Sequence, residues 1–101
     1  MKRVAVTGLG VISPVGNDIP TFWNALCSGT CGIGPITKFD ATDYPVKLAA
    51  EVRDFDPRQY MEKLDILHSD VYTHFAMAAA CQAVADSGIA GTLDAERVGV
   101  Y

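Results

Sequence analysis

From Val71 to Ala85 the chain carries no charged residue, and this stretch constrains the fold more than any other. Asp70 and Asp86 bracket it, and Phe75 to Ala85 is apolar almost all round a helical projection. A surface helix keeps a polar stripe, so a helix lacking one is expected between two layers of structure. The stretch is too short to span a bilayer and contains His74 and Gln82. The pattern predicts a helix from about Asp70 to Ser87. Gly88 followed by Ile89 forms its C-terminal cap, with glycine in the left-handed conformation and isoleucine folding back on the last turn.

Other elements can be read around this helix. Val4 to Thr7 is a β-branched and small apolar run ended by Gly8-Leu9-Gly10, which suits a strand covered on both faces. Asn17 or Asp18 can cap a helix that tolerates Pro20 in its first turn, with Ile19, Phe22, Trp23 and Leu26 on one face and Gly29 as its stop. Gly32 to Pro57 is rich in Gly, Pro and Asp and reads as loop with one short strand at Lys47 to Val52. Asp56-Pro57 opens a helical turn through Tyr60 and Met61, Asp94 to Arg97 forms a turn, and Val98 to Tyr101 begins another strand. The order strand–helix–strand–helix–strand predicts an α/β layered fold. A central parallel strand needs neighbours on both edges, which these residues cannot all supply, so the series reads as part of a larger unit.

Composition excludes several function classes. With 101 residues and 50% apolar content the chain suits one folded unit. Its net charge of −4, with only 8 scattered basic residues, argues against nucleic acid as a partner. Lys2 and Arg3 before a short apolar run faintly resemble a signal-peptide start, but Gly8, Gly10 and Pro14 end the run early. A soluble, cytoplasmic protein is expected. Cys27, Cys31 and Cys81 leave one unpaired in any disulfide scheme, and no second Cys/His pair completes a zinc site, so small buried thiols are expected. His68 and His74 lack the four-residue spacing of a metal-binding helix. Asp43, Asp54 and Asp56 read as solvated turn formers with nothing nearby to shift their pKa values. Gly8-Leu9-Gly10 after a strand raises a nicotinamide-dependent dehydrogenase as an alternative. Ser13 stands where the third glycine should be, however, and no acidic residue closes a second strand.

Val6-Thr7-Gly8-Leu9-Gly10-Val11-Ile12-Ser13-Pro14-Val15-Gly16-Asn17 is followed by Phe22-Trp23 and Gly32-Ile33-Gly34-Pro35-Ile36. Then come Phe39-Asp40, Tyr44-Pro45-Val46-Lys47, Val52 to Pro57, Ala83 to Gly88 and Arg97 to Val100. In this order and spacing the series resembles the β-ketoacyl-acyl-carrier-protein synthase II family of the thiolase-like superfamily. The resemblance implies a layered α-β-α fold, of which residues 1–101 would be the first part of an incomplete N-terminal domain. It implies a homodimeric enzyme that condenses an acyl-cysteine with malonyl-acyl carrier protein by decarboxylation, with no cofactor.

The chemistry needs a thiolate, oxyanion donors and two histidines. By the resemblance the nucleophilic cysteine and both histidines lie beyond Tyr101, so no catalytic residue is assigned here. Ala79-Ala80-Cys81 superficially resembles the nucleophile elbow, but Cys81 falls about three turns into the predicted helix, away from any strand-to-helix turn. A non-catalytic relative or chain-length partner of the same fold shares these motifs. The family's basic docking cluster for the acidic carrier protein aligns with Glu62 to Asp70. Only Lys63 and the mostly neutral His68 remain there, and Leu64, Ile66 and Leu67 replace polar or basic positions. Lys63 and His68 are the candidate docking residues; the competing expectation is that the leucines pack inward.

Overall fold

The computed structural model describes residues 1–101. Helix α1, Ile19–Cys27, starts at Asp18, whose carboxylate accepts the Thr21 amide at 2.8 Å, with Pro20 in the first turn. Ser28 is its C-cap, and Gly29 follows in the left-handed region at φ 70°. Ile19 and Phe22 turn inward, whereas Trp23 and Leu26 of the expected apolar face stay exposed.

Strands β1, Ile33–Pro35, and β2, Leu48–Ala50, form an antiparallel pair in which Gly34 faces Ala49. The sequence pattern predicts β2 within Lys47–Val52 but reads β1 as loop. The Ile-Gly-Pro sequence of β1 has almost no β signal, and pairing with β2 decides its conformation. Asp56 caps a 3₁₀ turn at Pro57–Gln59, as its Asp-Pro sequence predicts. Helix α2, Lys63–Leu67, has no counterpart among the expected elements. A five-residue helix cannot hold itself together, so its cause lies in what it packs on.

Helix α3 spans Val71–Ser87 after Asp70 and ends at Gly88, φ 64°, close to the predicted limits. A second 3₁₀ turn, Ala95–Arg97, is capped by the Asp94 carboxylate.

The strand pair β1–β2 forms one packed region, and the Pro57 turn, which meets both α2 and α3, forms another. Phe55 lies edge-on to Phe75 with ring centroids 5.0 Å apart and stacks with Tyr60 at 6.2 Å. Ala78, at 0% exposure, and His74, at 8%, are the two buried residues.

Of the two layers expected to enclose α3, residues 1–101 supply one. In this chain Met77, Cys81 and Val84 of α3 are exposed, and a shallow apolar groove of about 570 Å³ runs along Met77, Cys81 and Val84 to Ala90. The accessible surface is 8287 Å², against about 5,500 Å² for a compact monomer of 10.8 kDa. The radius of gyration, 16.9 Å, likewise exceeds the roughly 13 Å of a compact chain this long. The three cysteines are free and exposed, not the buried thiols expected from composition.

Val4 to Thr7 and Val98 to Tyr101 are exposed and form no strand ladder, correcting those two strand expectations. Their β-rich sequences meet no partner strand, and a strand exists only through its ladder.

Candidate functional site

Two surfaces bear on function: the extended segment laid on α3 and the outer face of α2. Residues 8–11 cross α3 antiparallel to it. The Leu9 amide donates to an Asp86 carboxylate oxygen at 3.0 Å, and the Val11 amide donates to Gln82 Oε1 at 3.0 Å. Between these bonds the backbone touches the helix. A Cβ on Gly8 would overlap the Ala83 carbonyl oxygen, and one on Gly10 the Ala79 carbonyl oxygen. The glycines therefore serve close packing of segment and helix. No helix starts behind them either, since Ser13 and Gly16 close a tight turn and α1 begins only at Ile19. The dinucleotide alternative loses its phosphate cradle on both counts.

Gln82 does more than hold Val11. Its Nε2 donates to the Asn17 carbonyl at 2.7 Å and to the Tyr60 hydroxyl at 3.2 Å, joining three segments to α3. Asn17 Nδ2 extends the chain of bonds to the Arg53 carbonyl at 2.7 Å. In the sequence Gln82 reads only as a polar interruption. The legible signal was the pair Gln82 and Asp86, polar residues four apart on an otherwise apolar helix.

On α2, Lys63 shares one side with Leu67, and Leu64 shares the adjoining side with His68, each pair four residues apart. Leu64 is 67% and Leu67 69% exposed, so in this chain neither packs inward. Ile66 is the inward residue, and its carbonyl meets His74 Nε2 at 3.3 Å. Glu62, Asp65 and Asp70 are exposed on the same segment beside Lys63, leaving it net acidic. An open depression of about 380 Å³ runs from Leu67 and His68 to Tyr72 and Thr73.

The ionisable groups elsewhere serve turns. The Arg58 guanidinium, 2.8 Å from Asp56, holds that carboxyl below its usual range, which corrects the expectation of an unperturbed Asp56. Bonds from Thr21, Thr42 and Thr37 lower Asp18, Asp40 and Glu51 in the same way. Glu51 clamps the loop by accepting the Thr37 hydroxyl at 2.7 Å together with the Thr37 and Lys38 amides. His, Cys, Asp and Glu side chains nowhere gather in threes that could hold a metal. No helix is long and apolar enough to cross a membrane. Cys81 sits mid-helix in the α3 groove, without the strand-to-helix turn that would aim amides at its sulfur.

Similar proteins place these surfaces in a family. The chain is 49% identical over 100 residues to a 3-oxoacyl-(acyl-carrier-protein) synthase 2 of Coxiella burnetii and 43% identical to that of a Synechocystis strain. Each alignment covers 98% of this chain and 24% of the relative, so the chain spans about a quarter of their length. Among solved structures, the ishigamide ketosynthase/chain length factor matches with a TM-score of 0.75 and 33% identity, covering 93% of this chain and 22% of that one. The thiolase-like ketosynthase fold expected from the motifs is therefore the fold of this segment. The sequence model of the β-ketoacyl synthase N-terminal domain matches residues 1–101, and the chain belongs to that family.

Proposed function

We propose that this chain is the amino-terminal part of a β-ketoacyl-acyl-carrier-protein synthase. The whole enzyme would extend an acyl chain by decarboxylative condensation with malonyl-acyl carrier protein in the cytoplasm, as a homodimer. The observation that carries the reading is the half-covered helix α3. One side holds residues 8–11 through Gln82 and Asp86, while the Met77–Val84 side lies bare, as expected of one layer in a larger α-β-α unit. The names of the relatives supply the reaction class. In this reading the nucleophilic cysteine and the two histidines follow Tyr101, and residues 1–101 serve as scaffold.

A chimera tests it: residues 1–101 replace the matching segment of the Coxiella burnetii synthase. The chimera is expected to release carbon dioxide from malonyl-carrier protein and form the elongated product, whereas the 101-residue chain alone does neither. A folded chimera without activity, or acylation of Cys81 in the isolated chain, would overturn the proposal.

A second reading, a non-catalytic chain-length partner, draws on the solved neighbour, which pairs the words ketosynthase and chain length factor in its name. Sequence beyond Tyr101 that lacks the cysteine and histidines would favour it.

We also assign the α2 face with Lys63 and His68 to carrier-protein docking. Its exposed leucines and its acidic neighbours make this docking less charge-driven than a basic patch would be. Each exposed ion pair contributes only about 0.2–1 kcal/mol, so restoring two positive charges should lower the carrier-protein KM a few-fold. The gain should appear mainly in association and fade with salt. In the chimera, Leu64→Lys with Leu67→Arg tests this. An unchanged KM and an unchanged salt dependence would remove α2 from the docking surface.

A further inference from the structure

His74 is the one buried ionisable side chain, and neither the fold motifs nor the proposed chemistry uses it. It lies in the first turn of α3, and its Nε2 reaches the Ile66 carbonyl at 3.3 Å. A carbonyl oxygen only accepts, so Nε2 carries the proton and donates. Ile66 is the penultimate residue of α2, and its carbonyl is among those a helix end leaves without an internal partner. Helix α2 has five residues, no side-chain N-cap bond and no basic residue in its last turn. A helix this short is not stable by itself. Two of its own backbone bonds, Ile66 amide to Glu62 carbonyl at 3.1 Å and His68 amide to Leu64 carbonyl at 3.0 Å, depend on an anchor outside it. The Pro57–Gln59 turn packs against α2, and the ring of His74 under Ile66 adds the hydrogen bond that reaches it from α3.

We propose that His74 is a positioning residue: its ring N–H holds the Ile66 carbonyl, fixes the pose of α2, and thereby presents Leu64, Leu67, Lys63 and His68 outward together. The consequence for the carrier protein rests on the docking assignment above. The consequence for α2 does not.

The test uses the chimeric synthase with His74→Leu, which keeps bulk without a donor, and His74→Gln, which keeps a donor. Hydrogen exchange at the Ile66 and His68 amides reports the pose of α2. Steady-state kinetics compare a carrier-borne acyl substrate with the same acyl group on pantetheine. With leucine, protection of both amides is expected to fall about tenfold. The carrier-substrate KM should rise several-fold, while kcat and the pantetheine-substrate KM stay unchanged. Glutamine should restore both. Unchanged protection in the leucine variant would overturn the role of His74. Lost protection with an unchanged carrier-substrate KM would keep that role and overturn docking on α2. A parallel loss of kcat with both substrates would mean general destabilisation and overturn the positioning role.

Discussion

Replacing Gln82 by methionine tests whether side chains of α3 hold the extended segment. Methionine keeps the length of the side chain and its helix preference but loses both the amide oxygen and the amide nitrogen. Three bonds disappear: from the Val11 amide, to the Asn17 carbonyl and to the Tyr60 hydroxyl. All three are partly buried, so water can replace them only in part. At about 0.5–1.5 kcal/mol each, discounted for that access, the loss is about 2–3 kcal/mol. Since 1.4 kcal/mol is a factor of ten, exchange of the Val11 amide in the chimera should speed up about thirtyfold or more. Tyr60→Phe removes only the 3.2 Å bond and should cost less than about 1 kcal/mol. The reasoning is refuted if methionine leaves Val11 exchange within about threefold of the parent. It is equally refuted if Tyr60→Phe costs as much, because the energy would then reside in ring packing around Phe55 and Phe75.

Three further outcomes are expected. Gly10→Ala should prevent the close approach to Ala79 and destabilise the chimera by more than about 3 kcal/mol, read as a lower melting temperature, whereas alanine at Gly29 meets no neighbour and costs only the strain of a positive φ. Asp18, Asp40, Glu51 and Asp56 all have pKa values below their ordinary 3.8 or 4.5, so their contribution is complete above those values and is lost as pH falls through the lowered ones; circular dichroism below pH 4 should show α1 loosening sooner in the parent chimera than in Asp18→Asn, whose cap does not titrate. The 101-residue chain alone should self-associate through the Met77–Val84 groove, and a sharp cooperative urea transition of a monomer by ultracentrifugation would contradict this.

Local signals made the helices legible. Asp18-Ile19-Pro20, Asp56-Pro57 and Ser87-Gly88-Ile89 each act within a few residues, and the structure uses all three. Elements fixed by distant partners were not legible in this way. β1 forms because β2 lies beside it, and α2 because it rests on the Pro57–Gln59 turn and on His74. Val4 to Thr7 fails for the opposite reason: its sequence suits a strand, but no strand lies within reach. At the candidate site, Lys63 and His68 are proposed from the family motifs alone. The outward turn of Leu64 and Leu67 needed coordinates, because one face of a five-residue helix cannot be read from periodicity.

The contact between residues 8–11 and α3 works as a vernier. Gly8 and Gly10, two residues apart, face Ala83 and Ala79, four apart, and the Leu9 and Val11 amides repeat that ratio on Asp86 and Gln82. Two extended residues advance about 6.6 Å and four helical ones about 6.0 Å, so the two scales slip by roughly 0.6 Å at each repeat. One repeat fits within the tolerance of a hydrogen bond; two or three more would not. The segment leaves the helix for the Ser13–Gly16 turn soon after the scales begin to diverge. A single-residue deletion between Gly8 and Val11 would set a side chain where the helix backbone admits none. The length of this contact is therefore set by arithmetic between two periods as much as by the residues that make it.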